Sequence, residues 1–436
     1  MDYINVESFE FKNFSFIKKE EYISVLNNYF LYLDNHIIDE NIDILDEDIA
    51  SVLLVINTFF DYFKDKDYWI DKIFYLIKKV EKIFKNKSLN SLGFFGGFSD
   101  LEYAVYIISQ KLGLFKNFYN YINDVYLELV LLKLKFAKKN IDNLKILDYD
   151  FIFGFAGIGY NILKKEFLNE KETKIIFEIS TYLTDLCSDY NYKGFMLPKF
   201  HIKSENQIRD DEKIDFKNGN INYGFSHGMG AVLLFLSKSY SLGYISDIKK
   251  IEYIFKLYEK NEILRDGYFM WSTQQSFEEF INNETNDFYR SDKASFCYGY
   301  LGITSALLKS CEYIKNIDIL EKYKNNLKNI LRYKNIEEFN LSNVIICHGF
   351  SYLLLVYQKY DNQNKVKIKE IYDKIMLFYD EKFELGFLGK DVVIVENREV
   401  VVESFGLSLL EGSSGIILAL ASFFIDVREF VFHIGL

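Results

Sequence analysis

One short pattern recurs along this chain: a glycine, two residues, often a second glycine, and then an apolar run with helical spacing. It reads "FGFAGIGYNIL" around Gly154, "SHGMGAVLLFL" around Gly228, "CYGYLGITSALL" around Gly299, "CHGFSYLLLVY" around Gly349 and "LEGSSGIILAL" around Gly412. A weaker relative, "FGGFSDLEYAVYII", surrounds Gly97. Gly157, Gly302 and Gly415 keep the second glycine, whereas Asp100, Ala231 and Tyr352 replace it. Successive copies stand 57, 74, 71, 50 and 63 residues apart. That is too irregular for a solenoid of identical short units, yet each interval is long enough for a helical hairpin plus a loop. One repeat therefore reads as an inner helix that begins at the glycine and an outer helix that returns.

The glycine-led runs are apolar nearly all round, so they belong inside, because a helix without a polar face is buried on every side. Segments between them, such as "DYWIDKIFYLIKKVEKIFKNK", repeat their apolar residues at three and four and read as amphipathic helices that wrap the first set. Proline, the strongest helix breaker, occurs once in 436 residues, at Pro198. These features predict an all-α protein, a closed ring of helical hairpins or α/α toroid, with the motif-bearing helix starts gathered at one face. Two segments depart from the pattern. Residues 190–223 are polar, hold the proline and read as a loop excursion, or a short hairpin, bordering the Gly228 motif. Residues 388–404 carry two Val-rich runs around "ENRE" and read as a β-hairpin.

Charge and composition exclude several functions. The net charge is −11 and lysine and arginine are dispersed, so no basic stripe is present to neutralise nucleic-acid phosphates; a cationic peptide or a neutral small molecule fits better. The N-terminus lacks the basic-then-apolar order of a secretory signal. The longest uncharged run, about 17 residues from Ile221 to Ser237, is polar in places and shorter than the ~20 apolar residues that span a bilayer. The expectation is a soluble, cytoplasmic protein without a membrane span. Four cysteines in so long a chain do not make a disulfide scaffold.

Those cysteines and the histidines are unevenly placed. Of nine Cys and His residues, four stand within two residues before a motif glycine: His227, Cys297, Cys347 and His348. Asp150 stands four residues before Gly154. Cys297, Cys347 and His348 make a Cys2His set of the type zinc binds tetrahedrally, and three protein ligands leave a fourth position for water or substrate. A helix start also favours thiolate over thiol. His227 reads either as an interior histidine or as an acid/base group, and Asp150 either as a helix cap or as a catalyst. Cys187 and Cys311 read as core residues, and His36, His201 and His433 have no motif context.

At these residues the sequence resembles the lanthionine synthetase C-like family, the stand-alone cyclases of lanthipeptide (lantibiotic) biosynthesis. "SFCYG" and "ICHG" are similar to its two zinc motifs, "FSHG" to its histidine motif, and "DFIFGFAGI" and "EGSSGI" to its glycine signature. The likeness covers roughly residues 91–422, with the earlier helices completing the ring. It implies a single domain over 1–436 with seven inner and seven outer helices, and one zinc ion held by Cys297, Cys347 and His348. It also implies an activity, the Michael-type addition of peptide cysteine thiols to dehydroalanine or dehydrobutyrine, closing lanthionine or methyllanthionine thioether rings. The implied partners are a dehydrated precursor peptide, a dehydratase and an ABC transporter, the last two forming a membrane-bound complex that this chain joins peripherally.

The resemblance further implies that His227 and Asp150 handle protons at the enolate, and that Tyr298 hydrogen-bonds near the site. Four residues before the first zinc cysteine the family commonly has arginine; here Lys293 holds that place, with Arg290 three residues earlier. Lysine keeps the charge and lacks the planar fork. Two rival readings keep the fold and change the chemistry: a zinc enzyme that forms thioethers from a small thiol such as glutathione, or a helical scaffold that has lost catalysis.

Overall fold

The computed structural model describes the chain except residues 1–2, 6, 8, 10–16, 38–43, 87–88, 90, 286–292, 334, 389–390, 396–397 and 403–405. Contacts divide it into two compact units. One comprises Met1–Asn90, Phe95–Ile122 and Leu341–Ile434; the other comprises Ser91–Phe94, Asn123–Asn340 and Gly435–Leu436.

In the first unit four helices are apolar nearly all round: Ile49–Phe59, Phe98–Leu112, Phe350–Tyr360 and Ser413–Ala421. Every residue of Ser413–Ala421 is buried. That helix packs against Phe350–Tyr360 on one side and Ile49–Phe59 on the other, and Ile49–Phe59 packs in turn on Phe98–Leu112. Amphipathic helices Lys19–Ile37, Lys66–Asn86 and Lys365–Met376 lie against this row. Trp69 anchors one of them, stacked on Phe63 at 4.5 Å and edge-on to Phe30 at 5.3 Å. A buried indole of this kind is worth more than its area because the aromatic pairs add to it.

The second unit repeats the plan. Apolar helices Phe155–Ile162, Met229–Ser241 and Tyr300–Ile314 stand side by side, each followed by an amphipathic partner: Glu170–Asp185, Ile248–Lys260 and Ile317–Tyr333. The amphipathic helix Lys116–Lys139 contributes residues to both units. Among the described residues this makes seven apolar and seven amphipathic helices, the numbers the family resemblance implied, one hairpin more than the six glycine-led copies.

The recurring glycines mark where six of these apolar helices begin, all but Ile49–Phe59. The chain doubles back before the helix, so backbone fills the space a side chain would need: a Cβ on Gly299 would lie 2.1 Å from the Ser295 nitrogen, and one on Gly349 2.5 Å from the Asn343 oxygen. Alanine at either position would collide with main chain. The doubled-back turns also bond to one another. In the second unit the Phe151 N–H donates to Ser226 O at 2.8 Å and the Ser226 N–H to Cys297 O at 3.0 Å. In the first unit the Cys347 N–H donates to Leu410 O at 2.9 Å, and the Leu409 N–H to Ser51 Oγ at 3.1 Å. Each row of helix starts is therefore laced together by its backbone.

Residues 189–222 are more ordered than a loop. Asp189–Tyr192 pairs with Phe195–Pro198 across Lys193 and Gly194, whose φ angles of 53° and 87° make the doubly left-handed turn favoured in hairpins. His201–Ile202, Asn220–Asn222 and Gln274–Ser276 form a three-stranded antiparallel sheet in that order. Asp391–Val395 and Arg398–Val402 pair antiparallel. A further hairpin, Glu262–Arg265 with Tyr268–Trp271, turns at Asp266–Gly267. Sequence reading passed over it, although Asp-Gly between alternating apolar residues is a strong hairpin signal. Among the described residues no helix is long and apolar enough to cross a membrane.

Candidate active site

Asp150 occupies the turn before Phe155–Ile162 and is completely buried. Its Oδ1 accepts the backbone N–H groups of Phe153 at 2.7 Å and Gly154 at 2.6 Å, so one oxygen pins the turn that leads into the helix; the N-cap itself is Gly154 and not the acid. The other oxygen does something else. Oδ2 lies 2.6 Å from Nδ1 of His227, which precedes Gly228 in the neighbouring turn. A carboxylate committed to two N–H donors holds the imidazole in the tautomer with its proton on Nδ1. That leaves Nε2 as the nitrogen for exchange with a ligand. The ring is partly open to solvent, at 19% exposure, and it stacks on Phe153 at 6.2 Å.

Lys133 supports this turn from behind. It projects from the amphipathic helix Lys116–Lys139, and its ammonium donates to the carbonyls of Leu147 and Phe153. Burial pushes its pKa down, while Asp150 and Asp148 act in the opposite sense. Sequence reasoning missed Lys133, because a lysine on an amphipathic helix carries no local sign that it reaches a neighbouring loop.

Tyr298 faces His227, with ring centroids 5.6 Å apart. Burial pushes its hydroxyl pKa well up, and the charges of Glu212 and Asp150 add to this; the charge of Arg209 and the Asn222 side chain oppose them. Asn222 sits on the central strand of the three-stranded sheet, and its Oδ1 accepts the Gly224 N–H at 2.9 Å. Glu212 reaches the same sheet, accepting from Gln274 Nε2 at 2.8 Å. The 190–223 excursion therefore lends Asn222, Arg209 and Glu212 to the surroundings of Tyr298. A polar residue alternating with apolar ones in "NINYGFSHG" was the available sign of Asn222.

Cys297 is adjacent to Tyr298 and buried; Cys347 and His348 precede Gly349, one buried and one partly open. Two thiols and an imidazole are zinc's preferred donors. The donor set therefore fits zinc. Lys293 is exposed on the bend before Cys297, and Arg290 lies outside the described residues. Cys187 and Cys311 are buried and free, with thiol pKa values pushed up by burial, as core residues should be. His201 is held by Tyr190 Oη and the Asn218 carbonyl, each at 2.8 Å, within the excursion's sheet region.

Comparison with known proteins agrees with this picture. The sequence is 26% identical over 290 residues to the nisin biosynthesis protein NisC of Lactococcus lactis subsp. lactis, a match covering 65% of this chain. It spans 63% of that relative's length, a little under two thirds. The solved structure of nisin cyclase superposes with a TM-score of 0.71 over 88% of this chain and 91% of its own, at 21% identity. At that identity the likeness concerns the fold, and it bears out the α/α toroid expected from the glycine-led helices. The family description "Lanthionine synthetase C-like protein" matches residues 45–431, and on a match of that extent the chain belongs to the lanthionine synthetase C-like family.

Proposed function

We propose that this protein is a zinc-dependent lanthipeptide cyclase, which adds peptide cysteine thiols to dehydroalanine or dehydrobutyrine. The observation that carries the proposal is the buried Asp150–His227 pair beside Tyr298, in the turn next to the one that bears Cys297. Cys297, Cys347 and His348 would hold the metal, and zinc bound there supplies a means of keeping a substrate thiol deprotonated near neutral pH.

The chain's own residues then have definite tasks. Addition of the sulfur to the β-carbon forms a C–S bond, moves the double-bond electrons towards the carbonyl and leaves the α-carbon short of a proton. His227 Nε2 delivers that proton, and Asp150 stabilises the imidazolium that must exist before delivery. The thiol proton given up at the start balances the one added at the end, so ring closure leaves the mass unchanged. Tyr298 places a hydroxyl that donates to the developing oxyanion, which is how pre-oriented donors lower such barriers. Burial keeps that hydroxyl protonated, as the role requires. Lys293 supplies positive charge on the approach to Cys297, in place of the arginine common in the family. The precursor peptide is the substrate, with the dehydratase and transporter as working partners.

The test is to measure zinc per chain and then incubate the protein with a dehydrated, Cys-containing peptide. Because mass is conserved, loss of alkylatable thiols is the readout. One zinc per chain and loss of thiols are expected. Cys347→Ala should lose most of its metal and its activity while keeping its helical circular dichroism. A Cys347→Ala protein that retains both zinc and cyclisation sinks the ligand assignment.

A further inference from the structure

The turns that start the apolar helices share a pattern of exposure. In five of them the residue directly before the motif glycine is open or half-open, while the glycine and the two residues before that position are buried; the open residues are Phe153, His227, Tyr298, His348 and Glu411. The proposed reaction uses His227, Tyr298 and His348. Glu411 holds the same place in the copy at Gly412 and has no task in it.

In the second unit these open side chains meet in chain order. Phe153 stacks on His227 with ring centroids 6.2 Å apart, and His227 faces Tyr298 at 5.6 Å. The second contact accompanies a backbone bond of definite register. Ser226, two residues before Gly228, donates its N–H at 3.0 Å to the carbonyl of Cys297, two residues before Gly299. The first unit repeats that register: Cys347, two residues before Gly349, donates its N–H at 2.9 Å to the carbonyl of Leu410, two residues before Gly412. A Cβ on Gly415 would lie 2.8 Å from Ile346 Cγ1, so the Cys347 turn also packs against the helix that Glu411 precedes. The register that sets His227 beside Tyr298 therefore sets His348 beside Glu411.

An imidazole that gives one nitrogen to a metal carries a proton on the other, and that N–H is almost always donated to a carboxylate, a carbonyl or water. We infer that Glu411 is a positioning residue for the metal site, its carboxylate accepting the His348 N–H that faces away from zinc. The bond fixes the tautomer and orientation of the ring and makes its free nitrogen a better donor to zinc. This rests on His348 being a zinc ligand, and it adds a residue that the Cys2His set does not contain.

Zinc affinity of the reduced, metal-free full chain, measured by competition with a chromophoric chelator, tests the inference without recourse to turnover. Glu411→Ala should bind zinc about 10–100-fold more weakly, the usual consequence of removing such a partner. Glu411→Gln keeps a neutral acceptor, whose bond is weaker than a charge-assisted one, and should fall between the Ala variant and the wild type, about threefold or more below the latter. Glu370→Gln, on the amphipathic helix Lys365–Met376, should bind as the wild type does. Wild-type affinity in Glu411→Ala overturns the inference and leaves the cyclase reading in place. So does equal weakening by Ala and Gln at 411, the mark of a charge acting across space, or by Glu370→Gln. A wild-type chain that takes up no zinc overturns both. Because Glu411 is exposed, the metal-free variants should unfold at the wild-type temperature; if Glu411→Ala does not, Glu411→Gln decides alone, and wild-type affinity there overturns the inference.

Discussion

His227 Nδ1 stands 2.6 Å from Asp150 Oδ2, while the other oxygen of the same carboxylate holds the turn that enters the next apolar helix through two backbone N–H groups. One buried acid thus fixes both the entry of a helix and the tautomer of a histidine. Asp150→Asn separates the two tasks, because a carboxamide oxygen can still accept from Phe153 and Gly154 while its NH2 turned towards His227 favours the wrong tautomer. Folding should therefore survive, and cyclisation should fall by about 10²–10⁴-fold, the range for misdirected acid/base pairs. Zinc content measured alongside should be unchanged; a variant that is inactive because it has lost its metal would contradict this division of labour.

Lys133 is a positioning residue for that pair. Its ammonium bridges the carbonyls of Leu147 and Phe153, on either side of Asp150. Lys133→Met keeps the apolar stem and removes the charge-assisted bonds, each worth about 1.5–3 kcal/mol. Turnover should drop severalfold or more with little change in substrate affinity, and the pH at which the rate is half-maximal should move, since a charge near Asp150 is gone. Loss of stability alone would leave the pH profile of the folded fraction in place.

Gly302 tests the second glycine of the repeat. A Cβ there would sit 2.0 Å from the Phe296 carbonyl oxygen, which is backbone and one residue from Cys297. Gly302→Ala must push that turn aside at a cost of about 1–3 kcal/mol, so its thermal midpoint should fall and its zinc should be held more weakly. At the Gly228 copy the same place is filled by buried Ala231, which the local packing already accommodates. There Ala231→Gly should lose roughly 1 kcal/mol through helix propensity and a small cavity, with zinc retained. Calorimetry and metal analysis of the two variants distinguish a close backbone approach from a simple preference for small residues.

The contrast between those two positions shows what could be read from residues alone. Glycine-led apolar runs announced the inner helices at Gly97, Gly154, Gly228, Gly299, Gly349 and Gly412, because a repeated local pattern survives without knowledge of its neighbours. Ile49–Phe59 has no such glycine; a single 3-10 turn, Asp46–Asp48, leads into it, so only the likeness to the family pointed to it. His227, Cys297, Cys347 and His348 were legible because each stands within two residues of a motif glycine. Lys133, Asn222, Arg209 and Glu212 were not, since their importance arises from contacts to turns distant in sequence. The pairing of Asp150 with His227, 77 residues apart, was legible as chemistry and needed the backbone bond from Phe151 to Ser226 to become geometry.

Two buried groups give the stability opposite pH slopes, which can be uncovered one at a time. His201 is neutral in the fold, its pKa lowered to about 4 chiefly by burial. Between that value and its ordinary ~6.5 the unfolded chain binds the extra proton, so stability is lost as pH falls through this window. Asp48 behaves inversely. Burial raises its carboxyl to about 6, with the charges of Glu47 and Asp100 adding and the Leu407 N–H opposing. From about 4 to 6 the folded protein keeps a proton that the unfolded chain has released, so this contribution is lost as pH rises. Each shift corresponds to about 3 kcal/mol, and in the wild type the two slopes largely cancel between pH 4.5 and 6. Asp48→Asn should therefore raise stability at pH 7 and expose the acid sensitivity of His201, whereas His201→Gln should leave a protein that grows less stable from pH 4.5 to 6. Urea unfolding at pH 4.5, 5.5 and 7.5 separates these outcomes, and parallel pH profiles for wild type and both variants would show that neither group titrates as its burial requires.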